Sequence, residues 1–346
     1  MSGATMTEET GPTTEPLPPG TMLRRRYLVG APIGRGEHGV TYEGYDETAR
    51  QSVAVKEYFP RALADRVETA VSPKSRLYGT LFFLGSEAFL KQYQALTKAS
   101  GNPNIASVFD AFFENGTAYA VMELLEGAPL ETYLAIKKRR LTAGEAMYVA
   151  ASMADALLVV DSLNTLHFDI GPGSLFVCTD GTIRLTDFGA AKAALCARRE
   201  VDDAEPWKDL AALAGTLYRA MTGNGADGEL EPHPDVPAPL HELFRQMRGE
   251  NGAARLASVF EYRHALACVE VEAVRPEITR EEIEAYDQAR AEKKAAREQA
   301  ERRRAEKAAE AAEQERKRRK KKIALLCVCG VLLALLLMLI IRTALL

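Results

Sequence analysis

The chain of 346 residues predicts an α+β fold in two lobes, followed by a long charged helix and one C-terminal membrane-spanning helix. Three observations predict it. Residues 23–126 carry short apolar runs separated by turn residues, the pattern of strands. Residues 130–270 carry apolar side chains mostly at helical spacing. Beyond Pro276 the composition changes to charge and alanine, then to an uncharged apolar block. A β-rich region followed by an α-rich one makes a two-lobed plan with a cleft between the lobes.

Residues 1–22 are rich in Pro, Thr, Gly and Glu without an apolar period, so they are expected to be a disordered tail. No apolar stretch of the secretory type follows the start, so the body is expected to stay where it is made. The first lobe spans 23–126, with strands at Arg26–Ile33, Val40–Tyr45, Ser52–Tyr58, Ala106–Phe113 and Thr117–Leu124. Between the third and fourth lies Ser86–Ser100, where Phe89, Tyr93 and Leu96 recur at helical spacing. The second lobe spans 127–275, with helices such as Leu141–Leu163 and Asp209–Met221.

Residues 276–322 form the neck. From Thr279 to Lys322 alanines fill the interior, and Glu298/Arg302, Glu313/Lys317 and Glu315/Arg319 stand four apart with the acid first, an arrangement that supports a helix. At 1.5 Å per residue this is a rod of about 66 Å. Its apolar face is too thin for a strong coiled coil, so a single solvated helix is expected, with weak self-association through 279–322 as the second reading. Residues 323–341 carry no charge and would span about 28 Å, close to the hydrocarbon thickness of a bilayer. The basic run 316–322 precedes them, which places the body on the cytoplasmic side of the membrane and leaves only 342–346 beyond it.

The charge pattern narrows the partners. The net charge is −4, yet residues 280–322 hold 16 Lys/Arg against 11 Asp/Glu. An acidic body on a basic neck argues for a lipid surface and against nucleic acid. The five cysteines form no C-x-x-C pair and the five histidines no H-E-x-x-H spacing. That disfavours a disulfide framework and a zinc site.

Four motifs carry chemistry. Gly34-x-Gly36-x-x-Gly39 lies between two expected strands, and its glycines let backbone approach phosphate. A dinucleotide-binding turn would need a helix directly afterwards, whereas Val40-Thr41-Tyr42 reads as strand. Val53-Ala54-Val55-Lys56 follows, then His167-Phe168-Asp169 and, later, Asp187-Phe188-Gly189.

In this order the motifs resemble those of the protein-kinase family over residues 27–270. Lys56-Glu57-Tyr58-Phe59-Pro60 and Asn115-Gly116-Thr117-Ala118-Tyr119 look most like the bacterial branch of the eukaryotic-type Ser/Thr kinases. The resemblance implies ATP and Mg2+ as ligands. Gly34, Gly36, Gly39 and Lys56 would meet the phosphates, while Val40 and Ala54 would enclose the adenine. Met122 would be the gatekeeper, Glu123–Leu125 the hinge, Asp187 a metal ligand and Asp169 the base. Asp209 would brace the catalytic loop, and Leu96, Val108, His167 and Phe188 would stack as the regulatory spine.

The chain also departs from the family pattern. Gln92 falls where the acidic partner of the lysine belongs, and Glu87 faces about 140° away from it. Gly171 replaces a residue that contacts the transferring phosphate. Ser174 replaces the second metal ligand, Asn, and would hold metal weakly. No A-P-E follows, and residues 188–208 are few for a substrate platform. Together these imply a membrane-anchored pseudokinase scaffold that binds nucleotide or is inert, acting through an unidentified protein partner. The alternatives are an active atypical Ser/Thr kinase using Lys56, Asp169 and Asp187, and a purely structural membrane adaptor.

Overall fold

The structure, a computed structural model, describes residues 12–99, 101–197, 205–226, 228–250 and 252–296, with 298, 299, 301, 302 and 304. The chain divides into a unit ending at Ile283 and a second one from Glu284.

The first lobe is built on six antiparallel strands in the order β1-β2-β3-β4-β8-β7. These are β1 (Met22–Leu23), β2 (Tyr27–Arg35), β3 (Gly39–Asp46), β4 (Gln51–Tyr58), β7 (Val108–Glu114) and β8 (Thr117–Glu123). The five expected strands are all present within a few residues. Two short strands were not foreseen: β5 (Ala64–Val67) and β6 (Ala70–Pro73) pair as a separate hairpin. Helix α1 (Arg76–Leu96) packs across the sheet and begins ten residues before the expected start. Exposed Leu77 and Phe83, with Gly79 between them, blur the period that would have marked its first turns.

The hairpin fixes the orientation of β4. Arg66, on β5, is fully buried and donates to the buried Glu57 carboxylate at 2.7 Å. Tyr42 and Tyr119 also donate to Glu57, each at 2.8 Å. Burying such a pair without full hydrogen bonding costs more than it returns; here both carboxylate oxygens are occupied. Successive strand residues point to opposite faces, so locking Glu57 behind the sheet turns Lys56 toward the cleft. The segment from residue 12, expected to be disordered, lies against this network. Thr13 bridges to Arg66, and the amide of buried Leu17 donates to the Tyr42 hydroxyl at 2.9 Å.

The second lobe is mainly helical: α2 (Leu130–Lys137), α3 (Ala143–Ser162), α4 (Ala190–Ala197), α5 (Pro206–Thr222), α6 (Ala238–Arg248) and α7 (Val259–Ala267). A small sheet of β9 (Gly127–Pro129), β10 (Leu175–Cys178) and β11 (Ile183–Leu185) floors the cleft. Among the described residues α3 alone is long and apolar enough to cross a membrane, and it is the lobe's core helix, mostly buried. A capping box sets its start: Thr142 accepts from the Glu145 amide, and Glu145 accepts from the Thr142 amide.

The body runs on past residue 275, since Ile278 is buried. Residues 280–296 are helical, and Lys137 holds Glu282 at 2.7 Å in the first turn. The remainder of the expected rod, the basic run 316–322 and the apolar block 323–341 lie outside the described residues.

Candidate active site

Gly34, Gly36 and Gly39 roof a cavity of about 470 Å3, walled below by Lys56, Asp169, Asp187, Gly189 and Lys192. The loop is the turn between β2 and β3, closed by the Gly36 amide donating to the Gly39 carbonyl at 2.9 Å. Gly39 tolerates no side chain, because a Cβ would stand 2.4 Å from the Glu57 carbonyl oxygen.

Lys56 projects from β4 and donates to Asp187 at 2.9 Å and to the Tyr93 hydroxyl at 3.0 Å. Burial alone would push the Lys56 pKa down, but Asp187 and Tyr93 more than reverse this and hold it above the ordinary lysine value. The ammonium in turn holds Asp187 below the usual carboxylate range, against the effect of burial. Both groups are therefore charged at neutral pH. Asp187 adopts φ +56, a conformation uncommon for a non-glycine residue and frequent at functional sites.

Gln92 was expected opposite Lys56. It instead turns away, donating to the Leu166 carbonyl at 2.8 Å and accepting from the Ala190 amide at 2.9 Å. Neighbours on a helix differ by about 100°, and it is Tyr93 whose side chain reaches the lysine. Gln92 thus ties α1 to the loop before Asp169 and to the start of α4. The Phe188 ring lies between His167 and Tyr93, with centroids 4.5 and 6.5 Å away. Leu96 and Val108 are buried in the same core, but Tyr93 is the α1 ring that meets Phe188.

The loop carrying Asp169 is braced from beneath. The Asp209 carboxylate, in the first turn of α5, accepts from the His167 amide at 2.6 Å and the Phe168 amide at 3.0 Å. Phe168 has φ +70, so these bonds hold a strained residue. Burial raises the Asp209 pKa against the pull of His167 and the two amides. His167 sits buried, its Nε2 facing the Thr186 carbonyl at 2.7 Å and its Nδ1 facing the Asp169 amide at 3.2 Å. Those partners require Nε2 to carry the proton and Nδ1 to accept, and burial lowers the His167 pKa. The ring is therefore neutral.

Asp169 opens into the cavity, where Lys192 of α4 meets it at 2.7 Å. Ser174 is buried, and its hydroxyl accepts from the Gly171 amide at 2.9 Å and faces the Gly171 carbonyl at 3.0 Å. That oxygen closes its own loop and does not line the cavity. At the other end of the cleft Val40, Ala54 and Met122 are buried. Glu123 is tied to Ser107 through its amide and to Arg184 at 3.6 Å through its carboxylate. Leu125 is half-buried beside it. Sequence reasoning missed Tyr93 and Lys192. In the sequence Tyr93 shows only as part of the helical period of Ser86–Ser100, and Lys192 belongs to no motif.

Residues 27–202, which hold the glycine turn, Lys56, Asp169 and Asp187, match the family described as protein kinase domain. The chain belongs to that family. Its curated relatives include serine/threonine-protein kinase PknA of Mycobacterium tuberculosis, 27% identical over 291 residues, covering 72% of this chain and 62% of PknA. Serine/threonine-protein kinase PknK of the same species is 27% identical over 212 residues, covering 56% of this chain and 17% of PknK. The chain therefore spans less than two thirds of the length of either. Among solved structures, the PpkA-294 apo form covers 72% of the chain and 99% of its own length, with 21% identity and a TM-score of 0.61. The kinase domain of M. tuberculosis PknI covers 73% and 99%, with 22% identity and a TM-score of 0.56. At such identities the two structures establish the bilobal kinase fold and nothing finer.

The residues present fit Mg2+–ATP at the phosphate end. Among the cavity's walls Lys56 is charged and Asp187 ionised, with a glycine turn above them. Lys56 would hold phosphate and Asp187 a metal ion, whose positive charge would offset that of the phosphates.

Proposed function

We propose that the protein is a nucleotide-binding, kinase-like signalling module with impaired phosphoryl transfer, held at the cytoplasmic face of a membrane. The observation that carries the nucleotide half is the Lys56–Asp187 pair, charged and set beneath the glycine turn. The impaired half rests on the loop. Ser174 spends its hydroxyl on Gly171, so a second metal lacks its ligand, and Gly171 brings no side chain to the phosphate. Phosphoryl transfer depends on positioning and electrostatics, and losing such groups costs about 1–3 kcal/mol each, a rate loss that multiplies. Membrane attachment through 316–322 and 323–341, a protein partner, and weak self-association through 279–322 rest on the sequence pattern.

One observation favours an active Ser/Thr kinase as the second reading. Asp169 and Asp187 line one cavity, and Asp169 is aligned by neutral His167 and by Asp209. Two measurements test these readings, one for nucleotide binding and one for phosphotransfer. Thermal unfolding of the full chain in mild detergent is followed with and without ATP and Mg2+, beside Lys56→Met and Asp187→Asn. Saturation at 100 times Kd stabilises a protein by about 2.7 kcal/mol. A shift that requires Mg2+ and disappears in both variants supports nucleotide binding; no shift in wild type removes it. Phosphotransfer to protein by wild type, lost in Asp187→Asn, would establish the active kinase instead.

A further inference from the structure

The cavity holds a second cation that no motif announces. Lys192 stands on α4, with Nζ 2.7 Å from Asp169 Oδ1. It lines the same cavity as Gly34, Gly36, His38 and Gly39 above and Lys56 and Asp187 beside it. His38, at the tip of the glycine turn, feels this charge. Its pKa is lowered mainly by burial; Glu37 and Asp169 pull it up, and Lys192 pushes it down.

Two residues beyond Asp169, the loop is bare. Gly171 contributes no side chain, and a Cβ built there would meet nothing within 4 Å. Its backbone is not in the left-handed region, so the position would accept another residue. A missing side chain in the loop of Asp169 thus accompanies a cation that reaches Asp169 from α4. A plain reading is an exposed ion pair that only steadies α4, and such pairs contribute little. The location argues against it. The pair faces the cavity, about half-exposed at both ends, where a triphosphate would bring concentrated negative charge. A lysine is a point charge on a flexible stem, able to leave Asp169 for a phosphate oxygen.

We propose that Lys192 is a phosphate-binding residue of this site, supplied by α4 in place of the loop side chain that Gly171 lacks. This rests on the nucleotide-binding reading above. In the free protein Asp169 holds the lysine; in the complex the terminal phosphate shares it.

Isothermal titration calorimetry of the full chain in detergent micelles tests this, with ATP, ADP and adenosine, each with Mg2+. The proteins are wild type, Lys192→Met, Lys192→Arg and the double variant Lys192→Met/Gly171→Lys. Loss of a charge-assisted contact to phosphate predicts an ATP affinity about tenfold or more weaker in Lys192→Met. ADP should weaken less, and adenosine should be unchanged, which also reports an intact fold. Lys192→Arg should stay near wild type, and Gly171→Lys should restore most of the ATP affinity in the double variant. Unchanged or tighter ATP binding by Lys192→Met would overturn the proposal, the latter identifying Lys192 as a plug. Equal loss of adenosine and ATP would overturn it too, in favour of a structural role. Wild type that binds none of the three ligands would instead remove the nucleotide reading, and this proposal with it.

Discussion

Replacing Asp209 removes the support of the loop that carries Asp169, and its cost follows from what the carboxylate holds. It accepts from two backbone amides, at 2.6 Å from His167 and 3.0 Å from Phe168. His167 is fully buried and Phe168 half-buried. In Asp209→Ala the His167 amide is left without a partner, at about 1–3 kcal/mol, and water partly rescues the Phe168 amide. Burial of the carboxylate is itself unfavourable, as its raised pKa records, so removing it returns part of the loss. The net expectation is destabilisation by about 1–3 kcal/mol. Asp209→Asn conserves shape but turns an NH2 group toward an N–H, so it should still cost about 1–2 kcal/mol. The assay is urea unfolding of the full chain in detergent, read by Trp207, the chain's single tryptophan, which stacks with the Arg255 guanidinium at 4.3 Å. Amide exchange should accelerate first at His167 and Phe168, since φ +70 at Phe168 relaxes once its bond is gone. If both variants unfold within about 0.5 kcal/mol of wild type, the brace is not made by these hydrogen bonds.

Three further outcomes are expected. Glu145 is buried, which raises its pKa, yet Arg139, Thr142 and Tyr133 more than offset this and bring it down from 4.5 to about 2. A depressed carboxylate stabilises fully above its unfolded pKa and loses that as pH falls through the folded one. The stability gap between wild type and Glu145→Gln should therefore shrink between about pH 5 and about pH 2, by about 2 kcal/mol at most given the half-exposed Arg139; a pH-independent gap in urea titrations would contradict the assignment. In Gly189→Ala the new Cβ would stand 2.5 Å from the Asp169 Cβ, so a loss of about 1–3 kcal/mol is expected, together with weaker Mg2+-dependent nucleotide binding by calorimetry; wild-type stability would refute the close approach. Tyr58 buries its hydroxyl without a hydrogen-bond partner among the described residues, so Tyr58→Phe should be neutral or stabilising by up to about 1 kcal/mol, and a lower melting temperature would show a partner.

What was legible in the sequence follows from which physical signal each element sends. The sheet was readable because β3 and β4 alternate or bury both faces, and a strand's period of two survives without tertiary knowledge. The hairpin β5–β6 was not, since its central side chain is Arg66, and a buried arginine looks like a surface residue until Glu57 is found behind it. Phase was harder than existence. A motif places Gln92 opposite Lys56, but one residue on a helix is about 100°, enough to hand the lysine to Tyr93 and give Gln92 to Leu166 and Ala190. Asp169 and Lys192 are harder still, because neither spacing nor composition joins a carboxylate to a lysine on the alanine-rich α4. A motif records which groups a family brings to one place along the chain, whereas the cavity responds to which charges arrive there in space. Gly171 and Lys192 are where these two differ. Along the chain, Gly171 leaves the loop without a side chain; in the cavity, two ammonium groups and two carboxylates face one another beneath the glycine turn. A departure from a family motif is therefore insufficient reason to declare a cavity inert, and the charges on its walls are the better predictor of what it binds.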